Sequence, residues 1–265
     1  MPEPILFYDL TTKNASQKAW SPNTWKTRYC LNIKGLPYKT IWVEYTLEDI
    51  TAISRKIGAV ATEKRADGSF YHTLPAIYDP NTKTALADSA AIVRYLDKTY
   101  PDTPRLIPFE TDALHAAFAH ALRPSITPDL RKMRELVIPA TAIVLSPRSE
   151  AYFRATHPMP SGPEFDEISR PGPKRDEHWA GFLGGLYTIT QWLEADGTNK
   201  LFFLGDKIGY ADVTVAAFLT WIRIVLGADS KEWTAVKAAD GGRWGRFMEA
   251  FEKYETVDAG EDAVL

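Results

Sequence analysis

Cysteine is all but missing from this chain: Cys30 is the only one in 265 residues. No intrachain disulfide can form, and such sparing use suits a reducing compartment. Long apolar runs are missing too. None approaches the ~18 residues that cross a bilayer, and the start, Met1-Pro2-Glu3-Pro4-Ile5, lacks a basic-then-apolar signal. The expected location is cytoplasmic. Charge of one sign is not in excess: a formal net charge of -3 and a pI near 6.0 give no electrostatic case for nucleic acid or an anionic membrane. His72, His115, His120, His157 and His178 show no metal-ligand spacing, so no metal is expected.

What is present is an ordinary globular composition, 45% hydrophobic and 25% charged, in a chain whose length suits two domains of unequal size. Eight Trp and 12% aromatic residues leave room for an aromatic-lined pocket and fit a plain core equally well. Ile5 to Leu10 is a short apolar run that predicts a buried first strand. In Ser21-Pro22-Asn23-Thr24-Trp25, Ser is a good N-cap and Pro suits the first helical position, while Gly35 ends the helix; Trp25, Tyr29 and Ile33 recur every four residues. Tyr38 to Tyr45, rich in β-branched and aromatic residues, reads as a second strand, and a helix from about Leu47 to Ile57 completes a βαβ unit. Residues 58–71 read as a loop.

The stretch Tyr71 to Tyr100 organises the rest. After Leu74, Pro75 cannot donate to a strand ladder, which leaves the Leu74 backbone available to a partner outside the sheet. Ala76–Asp79 and Thr84–Leu86 flank a turn and predict a hairpin. Asp88 and Ser89 then stand in N-cap positions before Ile92, Val93, Tyr95 and Leu96 at helical spacing. Free N–H groups at such a start favour a bound carboxylate, and Asp88 favours an ammonium; one zwitterionic amino-acid head group satisfies both.

Leu74-Pro75 followed by Asp88-Ser89 and its helix resembles the glutathione-binding half of the glutathione transferases. The resemblance implies an α/β thioredoxin-like N-terminal domain over residues 1–100, a linker at 101–110 where prolines crowd, and an all-α C-terminal domain over 111–265. It implies glutathione as co-substrate: the backbone of Leu74, beside Pro75, orients the tripeptide, Asp88 with Ser89 holds its γ-glutamyl end, and His72 lies near enough to touch it. Arg55 and Lys56 are candidates for the glycyl carboxylate.

Only a thiolate attacks well, and an ordinary thiol has a pKa of about 8.5. A hydroxyl donor at a helix start favours the anion. By resemblance Ser21 occupies the family's catalytic position in its serine-type classes, and the lack of Cys there argues against thiol-disulfide exchange. Asn23, in a string similar to the SPN-G-WK of fungal nitrogen-regulator-like members, is a second thiol partner; Tyr8, on the first strand, is a third. Tyr8, Phe118 and Arg123 are expected to border the acceptor site.

The spelling Trp25-x-x-Arg28, Tyr38 to Tyr45, Ser146-Pro147-Arg148-Ser149 and Tyr152-Phe153-Arg154 is similar to the etherase-related FuA type of wood-decaying fungi. That implies hydrophobic aromatic electrophiles and detoxification of wood- or lignin-derived compounds, with a polyphenol-binding ligandin or a glutathione-dependent β-etherase as alternatives. Family members are usually homodimers, which is the expected state here.

Beyond the linker, helices are expected at Ala113–Leu122, Leu130–Val144 and Trp179–Ala195. The proline-rich stretch 146–176 reads as an extended insertion. Gly209 to Asp212 reads as half a capping box opening a helix to Leu226, Asp212 reaching back to an N–H. A last helix near Trp244 to Tyr254 precedes an acidic, frayed tail.

Overall fold

A computed structural model describes residues 3–15, 17–64, 68–122, 128–157 and 159–265. The chain forms two compact units. The first comprises Met1–Ile107, Val144–Thr156 and Lys253–Leu265; the second comprises Pro108–Ile143 and His157–Glu252.

In the first unit, β1 (Ile5–Leu10) leads to α1 (Pro22–Lys34), β2 (Tyr38–Val43) and α2 (Leu47–Ile57). Two two-residue strands, β3 (Glu63–Lys64) and β4 (Phe70–Tyr71), form a small hairpin in the stretch read as a loop. Next come β5 (Ala76–Asp79), β6 (Thr84–Ala87) and α3 (Ser89–Thr99). The main sheet has the order β6-β5-β1-β2-β7, where β7 is Glu261–Asp262. β1 and β2 are parallel, β5 and β6 antiparallel, the thioredoxin-like arrangement expected. Ile5, Phe7, Tyr8 and Leu10 are all buried, as a central strand requires. Pro22 opens α1 and Gly35, at φ 63°, closes it in the left-handed conformation that glycine adopts without strain.

The tail is not frayed. β7 adds in parallel to β2, Ala263 N donates to Trp42 O at 2.8 Å, and Trp42 Nε1 donates to Ala259 O at 2.8 Å. Asp258 accepts from Thr40 N at 2.8 Å and from the Thr40 hydroxyl. An edge strand presents unpaired backbone donors and acceptors, and the acidic tail satisfies them.

Two buried cations tie this unit together. The Arg28 guanidinium bonds Asp9 at 2.7 Å with both side chains fully buried, donates to Tyr38 OH at 3.1 Å, and lies against the rings of Phe7, Trp25, Tyr38 and Trp42. Lys34, at the end of α1, bonds Asp97 of α3 at 2.7 Å. Asp97 also accepts from Leu106 N and Ile107 N, so it joins α1, α3 and the chain beyond them.

In the remaining part of this unit, α6 (Pro147–Thr156) is bound to the end of β2 and the start of α2. The Ser146 and Ser149 hydroxyls donate to Glu44, Tyr45 N donates to Ser149 Oγ at 2.8 Å, and Arg148 forks onto Asp49 at 2.9 and 3.2 Å. The stretch 146–176 thus carries helices where an extended insertion was expected. Besides α6 it holds α7 (Pro163–Ile168) and the start of α8 (Pro173–Leu193). Pro147, Pro163 and Pro173 open these helices: the missing N–H is one the first turn leaves unbonded anyway, and the fixed φ suits it.

The second unit is built from helices α4 (Asp112–Ala121), α5 (Pro128–Val144), α7, α8, α9 (Tyr210–Leu226) and α10 (Lys231–Glu252), with two isolated bridges near 202–207. α5 runs on to Val144, where the first unit resumes. α10 is two helices joined at Ala239–Gly242, where Asp240, Gly241 and Gly242 take left-handed φ angles. The half capping box is present: Asp212 accepts from Gly209 N at 2.8 Å and from Phe203 N at 2.9 Å. Among the described residues no helix is long and apolar enough to cross a membrane.

Candidate active site

Three segments of the first unit converge on one cleft. The Leu74-Pro75 peptide is cis, and Leu74 lies just outside the ladder that begins at Ala76. Its backbone forms no hydrogen bond among the described residues. Pro75 O instead accepts from Asp88 N at 3.2 Å, which draws the start of α3 against the Leu-Pro step.

Asp88 caps that helix with one oxygen. Its Oδ1 accepts from Ala90 N and Ala91 N, each at 2.9 Å, at a backbone φ of 78° that L-residues seldom adopt. Oδ2 bonds nothing among the described residues, and the residue is exposed, so a carboxylate oxygen remains for a cation. Ser89, at the first helical position, is buried beside it.

The cleft encloses about 390 Å³ and is lined by Asn23 and Lys26 of α1, Val60 to Glu63, Thr73 to Pro75, and Ala85 to Ser89. That volume falls in the range of small-molecule sites. Of the residues singled out from sequence, Asn23, Leu74, Pro75, Asp88 and Ser89 meet there. Asn23 is exposed and its side chain makes no hydrogen bond among the described residues.

The others stand elsewhere. Ser21 is the N-cap of α1, 4% exposed; its hydroxyl makes no capping bond, and it does not line the cleft. His72 is buried with Nδ1 unpaired, its pKa pushed down by burial and by Arg55, and it too is off the lining. Tyr8 is buried in β1, where burial raises its phenol pKa. Lys56 donates to the carbonyl of Val264, and neither it nor Arg55 lines the cleft. Phe118 belongs to the second unit and packs on Phe203 and Trp192, ring centroids 4.6 and 6.2 Å apart. Arg123 lies outside the described residues.

The sequence reading missed Lys26, Thr62, Glu63 and Thr73. For Lys26 a signal existed, since it stands three residues after Asn23 and residues so spaced share a helix face. For Thr62 and Glu63 there was none: the small hairpin places them, Thr62 N donating to Tyr71 O at 3.1 Å and Thr62 Oγ1 lying 2.9 Å from Thr73 Oγ1.

This geometry has known counterparts. Residues 20–99 match the glutathione S-transferase N-terminal domain, and residues 113–254 match the glutathione S-transferase C-terminal domain. A glutathione S-transferase of Ceriporiopsis subvermispora, CsGST63524, solved in complex with glutathione, is 49% identical; the match covers 97% of this chain and 99% of that one, with a TM-score of 0.84. Glutathione transferase GSTFuA3 of Phanerochaete chrysosporium is 43% identical over 97% of this chain and 100% of its own, also at TM-score 0.84. The glutathione S-transferase-like protein ustS of Aspergillus flavus is 31% identical over 82% of this chain and 80% of its own length. With a thioredoxin-like unit carrying the cis-proline cleft and a helical unit behind it in sequence, this chain belongs to the glutathione S-transferase family and is a glutathione transferase with glutathione as its co-substrate.

Proposed function

We propose that the cleft between α1, the Leu74-Pro75 step and the start of α3 seats glutathione and activates its thiol for attack on hydrophobic aromatic electrophiles, in the detoxification of wood- or lignin-derived compounds. The carrying observation is that Leu74, with its unbonded backbone, shares one cavity with Asp88, Ser89 and Asn23. Leu74 pairs with the cysteinyl backbone, Asp88 takes the γ-glutamyl ammonium, and Ser89, at the positive end of α3, takes its carboxylate. The thiol then points to the start of α1, where Asn23 donates to the thiolate and the uncommitted Ser21 hydroxyl is the second donor. The thiolate sulfur forms a bond to the electrophilic carbon, and the leaving group departs with its bonding pair and acquires the proton released from the thiol. Lowering the thiol pKa by about two units needs roughly 2.7 kcal/mol of preferential thiolate stabilisation. The protein acts as a cytoplasmic homodimer, in keeping with its single, buried cysteine and the usual state of its family.

The test follows thiolate absorbance of bound glutathione against pH for the wild type, Asn23→Ala and Ser21→Ala, with turnover of a panel of aromatic electrophiles. A depressed thiol pKa that rises in Asn23→Ala, with turnover falling alongside, supports the assignment. A rise in Ser21→Ala alone moves the role to Ser21, and an unperturbed thiol in the wild type overturns activation.

A second reading is a ligandin for phenolic compounds. It is favoured by the ring cluster of Tyr45, Tyr152, Phe153 and Trp20, in which Tyr45 and Tyr152 centroids stand 5.3 Å apart and Tyr71 OH lies 3.5 Å from Tyr152 OH. Tight phenol binding without turnover is its signature.

A further inference from the structure

The cleft contains a cation that the assignment above leaves unused. Lys26 lies one turn beyond Asn23 on α1 and lines the cavity with Asp88 and Ser89. Its ammonium makes no hydrogen bond or ion pair among the described residues, whereas that of Lys34, two turns further on, is bonded to Asp97. Its charged end is hemmed in by protein although the residue keeps part of its surface accessible. An ammonium so placed without a partner is unfavourable, and burial lowers its pKa to about 8.

The charges around it fix which part of a ligand it can meet. Two anionic side chains line the cleft, Glu63 and Asp88, and it is Asp88 whose field acts on Lys26; the other titratable neighbour is the thiol of Cys30, buried one turn along α1, where burial pushes its pKa up and keeps it neutral. α1 packs against α3, and Lys26 shares the cavity wall with Asp88 and Ser89 at the α3 start. In an amino-acid head group the ammonium and the carboxylate hang on one carbon, so a receptor for it needs an anion and a cation side by side. Asp88 and Lys26 form such a pair, placed near each other without bonding. The glycyl carboxylate of the tripeptide is several bonds away and cannot reach this end while Leu74 holds the cysteinyl residue.

We propose that Lys26 binds the α-carboxylate of the γ-glutamyl residue of glutathione, beside Ser89, while Asp88 binds its ammonium. The proposal rests on the reading of the cleft as the glutathione site. It makes Lys26 a specificity determinant that selects peptides with an intact α-amino-acid head.

The test titrates wild type, Lys26→Gln and Lys26→Arg calorimetrically with S-methylglutathione, whose blocked thiol removes thiol ionisation, and with its γ-aminobutyryl analogue, which lacks the α-carboxylate. Lys26→Gln is expected to weaken S-methylglutathione roughly tenfold to hundredfold, the worth of one charge-assisted hydrogen bond. It is expected to leave the decarboxylated analogue unchanged, and Lys26→Arg to recover most of the loss. At a pH just above 8, wild type takes up more of a proton on binding than Lys26→Gln, seen in buffers of different ionisation heat, the uptake by the ligand's own amino group being common to both. Equal loss for both ligands, or no loss for either, overturns the proposal while the glutathione site stands. Absence of binding to the wild type overturns the glutathione reading itself and the proposal with it.

Discussion

Removing the Arg28 guanidinium while keeping its bulk, as in Arg28→Met, tests whether the buried ion pair holds the first unit together. Arg28 and Asp9 are each fully buried and bond at 2.7 Å. Without Arg28, the Asp9 carboxylate keeps only Leu10 N, at 2.6 Å, and the Thr24 hydroxyl. Thr40 Oγ1 and Tyr38 OH each lose a donor, and Asp258 loses a cation at 3.4 Å. Breaking one side of such a pair costs about 3–5 kcal/mol, or roughly 6–20 °C in Tm at ~2–4 °C per kcal/mol. Urea unfolding followed by Trp fluorescence measures it. The loss should depend on pH in a definite sense. Burial pushes the Asp9 pKa up and Arg28 opposes that push, so the variant's Asp9 pKa lies higher still. A raised folded pKa gives stability that is fully present below the unfolded value, about 3.9, and lost as pH rises through the folded value. The deficit of Arg28→Met relative to wild type should therefore shrink as pH is lowered. The double variant Asp9→Leu/Arg28→Met, which leaves no orphaned carboxylate, should recover much of the loss. A single-variant deficit below about 1 kcal/mol, or a double variant no better than the single, would refute the reasoning, since both are set by the orphaned charge.

Asp88 has two separable tasks. Asp88→Asn should keep both N–H caps and tolerate φ 78°, leaving Tm near wild type, yet weaken glutathione about tenfold by loss of charge; Asp88→Ala should add about 1 kcal/mol of instability. Identical affinities for wild type and Asp88→Asn would remove the ammonium contact. Asp258→Ala should cost about 1–3 kcal/mol by orphaning Thr40 N, with faster hydrogen exchange at the amides of Thr40 and Ala263. Unchanged protection at Thr40 would show that the tail does not clamp the sheet edge.

Local pattern determined much of this protein from sequence. The strand-helix-strand-helix order from Ile5 to Ile57, the hairpin after Leu74-Pro75, the Asp88 cap and the Asp212 back-bond all arise from residues within a few positions of one another, where periodicity and capping chemistry act. The same locality placed four of the expected site residues, Leu74, Pro75, Asp88 and Ser89, together, because the Leu-Pro step and the α3 start are joined by one short hairpin. Tertiary structure decided the rest. Thr40 N finds its acceptor 218 positions away in Asp258, so a polar tail becomes an edge strand, which no local period announces. No local pattern marks Arg28 and Lys34 as core residues; burial against Asp9 and Asp97 makes them so. Prolines between 146 and 176 signal breaks in a one-dimensional reading, and only the folded backbone shows three of them opening helices. At the cleft, the facing of α1 against α3 turns Asn23 and Lys26 to the cavity and leaves Ser21 off its lining, because a helix presents one stripe to a cavity and its rotation is set by packing rather than by its own sequence.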